Sequence, residues 1–288
     1  MPGTIAVLTM TRHHHDQLLG QVDGLSVGSV PPAIHSVVSM GDRDLTRGRL
    51  PLATDRWTTI VNPVPTDRRA LPVARARNTA AEAAIEAGAD ILVFLDGFVI
   101  PGSRTLEFFA DAVAGDLGAP VRDEVSGPII FVGPVLQLPE PENLQIGYPM
   151  GQLHGMAVRT PGTPHLQSGE IRVESRWELF RGTAFAMSAA GFTATGGFHP
   201  GYTGPGLEDA DLAETVRRAG GALVWVGGAT AYLQPYTGAT AAEEDKIALH
   251  HAKEWKDRWG QHPDHPWLRR LAGEGRLRVG PDGSYRPH

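Results

Sequence analysis

The chain has 288 residues, 41% of them hydrophobic, with a formal net charge of −6 and no cysteine. That length and apolar content suffice for one large domain or two small ones with a full core. The acidic balance argues against wrapping a polyanion, so no nucleic-acid partner is expected, and the missing cysteines exclude disulfides and thiolate metal sites.

The N-terminal stretch MPGTIAVLTMTRHHHD carries a short apolar run with no basic residue before it, too short for a secretion signal. No later stretch approaches a membrane span, so a soluble, cytoplasmic protein without a transmembrane segment is expected. Residues 4–9, 33–39, 57–62 and 91–96 are short, rich in β-branched residues and bounded by polar or Gly/Pro signals, as buried parallel strands are. Between the last two, LPVARARNTAAEAAIEAG places Val73, Ala76, Ala80, Ala84 and Ala87 at helical spacing, and Gly88 is a natural stop. Strand, helix and strand in alternation predict a doubly wound α/β half with ligands at the carboxyl ends of its strands. Residues 9–12, 39–44 and 96–98 therefore converge on one edge.

After about residue 139 the texture changes to Pro, Gly and His punctuation, which reads as a loop-rich acceptor region. Order returns with RGTAFAMS, a Gly-rich turn, and a helix over 207–221 whose stripe is Leu212, Ala213, Val216 and Ala219. A strand at 222–226 and an amphipathic helix around 241–259 follow. The expected organisation is one domain in two halves (1–140 and 141–260) and a C-terminal tail (261–288).

Three segments, ARARNTAAEAAIEAGADILVFLDGFVIPG, FRGTAFAMSAAGFTATGGFHPGY and GPGLEDADLAETVRRAGG, resemble a family 2 glycosyltransferase in the order that family uses. The resemblance implies a GT-A fold, a Rossmann-type α/β domain with a mostly parallel central sheet flanked by helices. It also implies a nucleotide-sugar donor, usually uridine-linked, and an inverting displacement at the anomeric carbon. By the same resemblance residues 1–140 are the nucleotide-sugar-binding half and residues 141–260 the acceptor-binding and catalytic half. Nucleotide contacts are then expected at Thr9 and Thr11, although strand-end capping explains those hydroxyls equally. Asp42 stands where an acid commonly reads the nucleobase. Arg77 and Asn78 match an Arg-Asn pair beside the donor, with Arg75 exposed.

Glu208, Asp209 and Asp211 crowd one helix start, where the macrodipole favours acids with or without chemistry. By resemblance Asp209 is the general base and Glu208 holds the acceptor or supports the base. Asp96 fits the family's Asp-Gly-Asp pattern except that Phe98 replaces the second acid. Leu233 stands where a metal-binding His is often found. Manganese or magnesium would then rest on Asp96, the diphosphate and water, weakly or dispensably. Otherwise a cation such as Arg12 or Arg181 neutralises the leaving diphosphate.

His13, His14 and His15 point about 100° apart if helical, so they read as a solvated helix start and not as one ion site. Trp177, His199 and Tyr202 are the candidate acceptor contacts, with Phe198 as readily in the core. Two other functions are open: a catalytically silent relative that binds a nucleotide sugar or a protein partner, and a nucleotidyltransferase, which TMTRHHHD ill suits because it lacks a Gly-rich phosphate loop.

Overall fold

Alternate residues of the first and fourth apolar runs go to opposite faces, and both faces are buried. Ala6, Leu8, Leu92 and Phe94 join one core, while Ile5, Val7, Ile91, Val93 and Leu95 join another. A sheet covered on both sides explains why these runs are uninterruptedly apolar. The computed structural model describes residues 3–52, 54–66, 71–143, 146–236 and 240–288, and every candidate site residue lies among them.

The first half contains β1 (Ile5–Thr11), α1 (His15–Ser26), β2 (Ile34–Met40), α2 (Arg43–Thr46), β3 (Thr58–Val64), α3 (Val73–Glu86) and β4 (Ile91–Leu95). There follow β5 (Val99–Pro101), α4 (Thr105–Ala114), α5 (Ala119–Glu124), β6 (Ile129–Val132), β7 (Val135–Gln137), α6 (Leu153–Met156), β8 (Val158–Arg159) and β9 (Ile171–Val173). The chain ends with β10 (Ala184–Ser188), α7 (Ala189–Thr195), α8 (Glu208–Arg218), β11 (Ala222–Val226), β12 (Ala231–Leu233), α9 (Ala241–Trp259), α10 (Pro266–Gly273), β13 (Leu277–Val279) and β14 (Tyr285–Pro287).

The main sheet has eight strands in the order β3-β2-β1-β4-β10-β6-β11-β9. Strands β3, β2, β1 and β4 run parallel, as do β6 and β11, while β10 runs antiparallel between β4 and β6. That reversed strand matters for the site. Because β10 is antiparallel to β4, the residues that enter it, Gly182 and Thr183, lie beside the residues that leave β4; the Asp96 N–H donates to the Thr183 carbonyl at 3.1 Å.

Helix α3 buries Val73, Ala74, Ala76, Ala80, Ala81 and Ala84, and these small side chains let it lie close on the sheet. Ala87 is exposed as its C-cap, and Gly88 follows at φ 90°, where a side chain would be strained. Helices α8, α9 and α10 cover the same face, through Leu212, Ala213, Val216, Ala248, Ala252, Leu268 and Leu271. Leu277 from β13 joins that core, so residues 261–288 contribute packed structure. Helix α4 covers the other face with Leu106, Phe109 and Val113.

Candidate active site

Arg77 lies on the buried stripe of α3, four residues after Val73 and three before Ala80, with only 6% of its side chain exposed. A guanidinium cannot shed its charge there and must be paired. It donates to Asp96 Oδ1 at 3.2 Å, to Glu208 Oε1 at 3.2 Å and to the Gly182 carbonyl at 3.3 Å, and it sits over the Phe198 ring. Burial opposes its charge, but Asp96, Glu208 and Asp209 together raise its pKa further. A Cβ on Gly182 would stand 3.0 Å from the guanidinium nitrogens, so any larger residue at the strand entry would press on this approach. Asn78, the next residue, clamps the Gly-Gly-Phe turn: its amide donates to the Phe198 carbonyl and accepts from the Phe198 N–H, both at 2.8 Å.

The acids at the start of α8 complete the cluster. Glu208 also accepts from the Gly206 N–H at 2.6 Å; burial, then the Asp209 charge, raise its pKa to about 7. Asp209 accepts from the Gly182 N–H at 2.9 Å and from the Ala210 N–H at 2.8 Å, which orients its carboxylate. Asp96 is raised by burial and by the Asp209 charge against the opposing pull of Arg77. Arg77, Asp96, Glu208 and Asp209 all line one cavity of about 570 Å³ at the strand ends, within the range of small-molecule sites. Asp211 does not join them. It is buried under Trp259 Nε1 at 2.7 Å, Arg258 at 3.1 Å and the Tyr202 hydroxyl at 3.2 Å.

The two departures from the metal pattern face this same cavity. Phe98 and Leu233 both line it, and Phe98 stacks on Tyr236 at 4.2 Å between ring centres, with His14 edge-on at 4.7 Å. The donor-metal position implied by the resemblance does not fit an ion. Its one carboxylate is engaged by Arg77, and apolar side chains stand where two further ligands are expected.

Thr11, Arg12, His13 and Met40 also form part of the cavity wall. The Thr11 hydroxyl is buried without a partner among the described residues. Arg12 makes no hydrogen bond or ion pair among them and is the free cation of the lining. Thr9, two residues earlier in β1, shares the Thr11 side of the strand, but its hydroxyl is taken up within the protein: it donates to Gln21 at 2.7 Å beside His35 and is fully buried. Asp42 is buried as the N-cap of α2 and already accepts from the His13 N–H, the His15 ring and the Asp44 N–H. Arg181 is exposed and donates to the Glu178 and Phe180 carbonyls, away from the cavity, and Arg75 is exposed as expected.

Trp177, His199 and Tyr202 do not line the cavity. Tyr202 is fully buried, its phenol held up by burial and the Asp211 charge. His199 meets Arg258 at 3.0 Å, and Trp177 packs against the core. The Tyr202 ring meets His251 of α9 edge-on, and His199 in turn meets Tyr202. Sequence reasoning missed Glu243 and Ile247, which α9 contributes to the cavity, and His251, which holds the loop ahead of α8. His251 Nδ1 accepts from the Leu207 N–H at 3.0 Å and Nε2 meets the Thr203 carbonyl at 3.0 Å, the arrangement of a neutral ring; burial lowers its pKa to about 4. Only its place on the buried stripe of α9, with Ala248 and Ala252, signals this in the sequence.

Residues 162–236 match the family described as the N-terminal domain of galactosyltransferase. No curated protein matches the sequence. Solved structures match across nearly the whole chain. GalNAc-T7, crystallised with UDP, GalNAc and Mn2+, superimposes at TM-score 0.59 with 13% identity over 94% of this chain and 54% of that one, so the present chain spans about half its length. TarS residues 1–349 of S. aureus, crystallised with UDP-GlcNAc, gives 0.54 with 13% identity, over 86% and 66%. The mannosyltransferase PcManGT of Pyrobaculum calidifontis, crystallised with GDP-Man and Mn2+, gives 0.55 with 17% identity over 96% and 69%. The chain therefore has the mixed α/β fold of GT-A glycosyltransferases, its largely parallel sheet flanked by helices. Among the described residues no helix is long and apolar enough to cross a membrane.

Proposed function

We propose that this chain is a glycosyltransferase of the family 2 type, transferring a sugar from a nucleotide donor, a UDP-sugar, to an acceptor hydroxyl with inversion. The observation that carries the reading is the convergence of Arg77, Asp96, Glu208 and Asp209, from three separate segments, on one cavity at the sheet edge. The donors in the structures of similar fold support a nucleotide sugar as the ligand class. Asp209 acts as general base: it takes the acceptor proton as the acceptor oxygen bonds to the anomeric carbon and the bond to the diphosphate breaks. Arg12, unpaired at the wall, neutralises the departing diphosphate without help from a metal at Asp96. Glu208 and Arg77 hold the floor, and the acceptor enters beside Glu243 and Ile247.

One observation favours a second reading, a silent relative that binds the nucleotide sugar: Phe98 and Leu233 put apolar side chains in the lining, and Arg77 occupies Asp96. Turnover decides between them. With a panel of nucleotide sugars, hydrolysis or transfer above blank is expected, and Asp209→Asn should cut it about 10²- to 10⁴-fold with donor affinity nearly unchanged. A loss below about tenfold removes Asp209 from the role. Tight donor binding with no turnover for any acceptor establishes the silent reading.

A further inference from the structure

The consecutive histidines do not follow one helix. His13 is the one non-glycine residue with positive φ among those described, at 59°, so α1 starts only at His15 and His14 serves as its N-cap. That reversal separates the three rings. His14 turns to Phe98, while His13 Nδ1 comes to 3.6 Å and His15 Nε2 to 2.7 Å from the same oxygen, Oδ2 of Asp42. Among the described residues this is the one group of three such ligand atoms, all within 4.8 Å of one another.

We propose that His13, His15 and Asp42 form a binding site for a divalent transition-metal ion. Two imidazole nitrogens and one carboxylate oxygen make a set that zinc, cobalt or nickel prefers over magnesium or manganese. At metal–ligand distances of about 2.1 Å the ligand atoms stand about 3.0–3.4 Å apart. Oδ2 and His15 therefore separate by a few tenths of an ångström, and His13, whose side chain is 64% exposed, is free to turn inward. The ion replaces a single hydrogen bond, the one between His15 and Oδ2. The His13 N–H at 2.9 Å and the Asp44 N–H at 3.0 Å remain on the carboxylate and fix its direction, as outer-shell donors do at metal centres. Three protein ligands leave further positions for water or for an oxygen of a molecule in the cavity, whose wall includes His13. The site is separate from Asp96, whose partner is the Arg77 guanidinium.

The test is titration of the full chain, free of any polyhistidine tag and without nucleotide, with Co2+ followed by visible absorption, and with Zn2+ followed by thermal melting. A single saturable equivalent and a raised Tm are expected. His13→Ala should weaken binding about tenfold or more, with the metal-free Tm unchanged because that side chain is exposed; His15→Ala should do the same to binding, and Asp96→Asn should leave it as in the parent. Absence of binding, or unchanged affinity in His13→Ala, overturns the site. No sugar nucleotide is present, so the result stands whatever the cavity accepts.

Discussion

Two acidic centres lie at the same sheet edge and are balanced in opposite ways. At the first, Asp96 and Glu208 share Arg77, a cation that is buried and permanently charged. At the second, Asp42 is held by two imidazoles and two backbone N–H groups, and its carboxyl stays low because the His15, His13 and Asp44 hydrogen bonds outweigh its burial. A guanidinium bolted between carboxylates fixes a geometry and repels a second cation. Imidazoles can give up a proton and accept a metal in its place. The difference assigns structural rigidity to the first centre and exchangeable charge to the second.

Removing Arg77 attacks the comparison hardest. Arg77→Ala leaves Glu208 and Asp96 buried beside Asp209 without their countercharge, and loss of one partner of a buried pair costs about 3–5 kcal/mol. Urea unfolding at pH 8 should show that loss, and it should shrink at pH 5, where the stranded carboxyls take up protons. A penalty below about 1 kcal/mol at pH 8 would mean the centre is wetter and weaker than its geometry implies.

The first centre was legible in the sequence and the second was not, for physical reasons. Asp96 ends an apolar run, Arg77 falls on an alanine stripe, and Glu208 and Asp209 open a helix after glycines; each position follows from local periodicity and the topology that periodicity forces. The strands at 5–11, 34–40, 58–64 and 91–95 differ from the expected spans by two residues at most. The His13 and His15 pairing depends on one left-handed residue and on a loop after a different strand, neither of which periodicity encodes. Tyr202 and His199 look equally available as sugar contacts until α9 packs on them, because aromatic residues serve core and binding surface alike.

A smaller effect separates the acids within the first centre. The folded protein keeps the Glu208 proton up to about pH 7, while the unfolded chain releases it near the ordinary value of 4.5. Its contribution is therefore complete below that ordinary value and is lost as pH rises toward 7. Glu208→Gln should abolish this loss, so that the stability of the variant relative to the parent climbs between pH 4.5 and 7, by at most about 1.4 kcal/mol per pH unit. His35, His251 and His265, lowered to about 4 by burial, act in the opposite sense and cancel in the difference. A flat difference curve would show that Glu208 is ionised in the folded state throughout.

The smallest expected effect asks whether the first centre can be turned into something like the second. Phe98→Asp restores a second acid two residues after Asp96, on the wall where Phe98 now stacks between Tyr236 and His14. Arg77 still competes for Asp96, so the gain should be modest: about fivefold tighter manganese binding in the presence of UDP, near 1 kcal/mol. The measurement belongs in a His13→Ala background, so that the histidine cluster does not take up the ion. If manganese binds no better there, Arg77 has closed this centre to cations and the apolar wall is only part of the reason. If His13→Ala with Phe98 intact loses all turnover in chelator and regains it with micromolar manganese, a ligand set outside the histidine cluster holds a catalytic ion, and the metal-free role given to Arg12 fails.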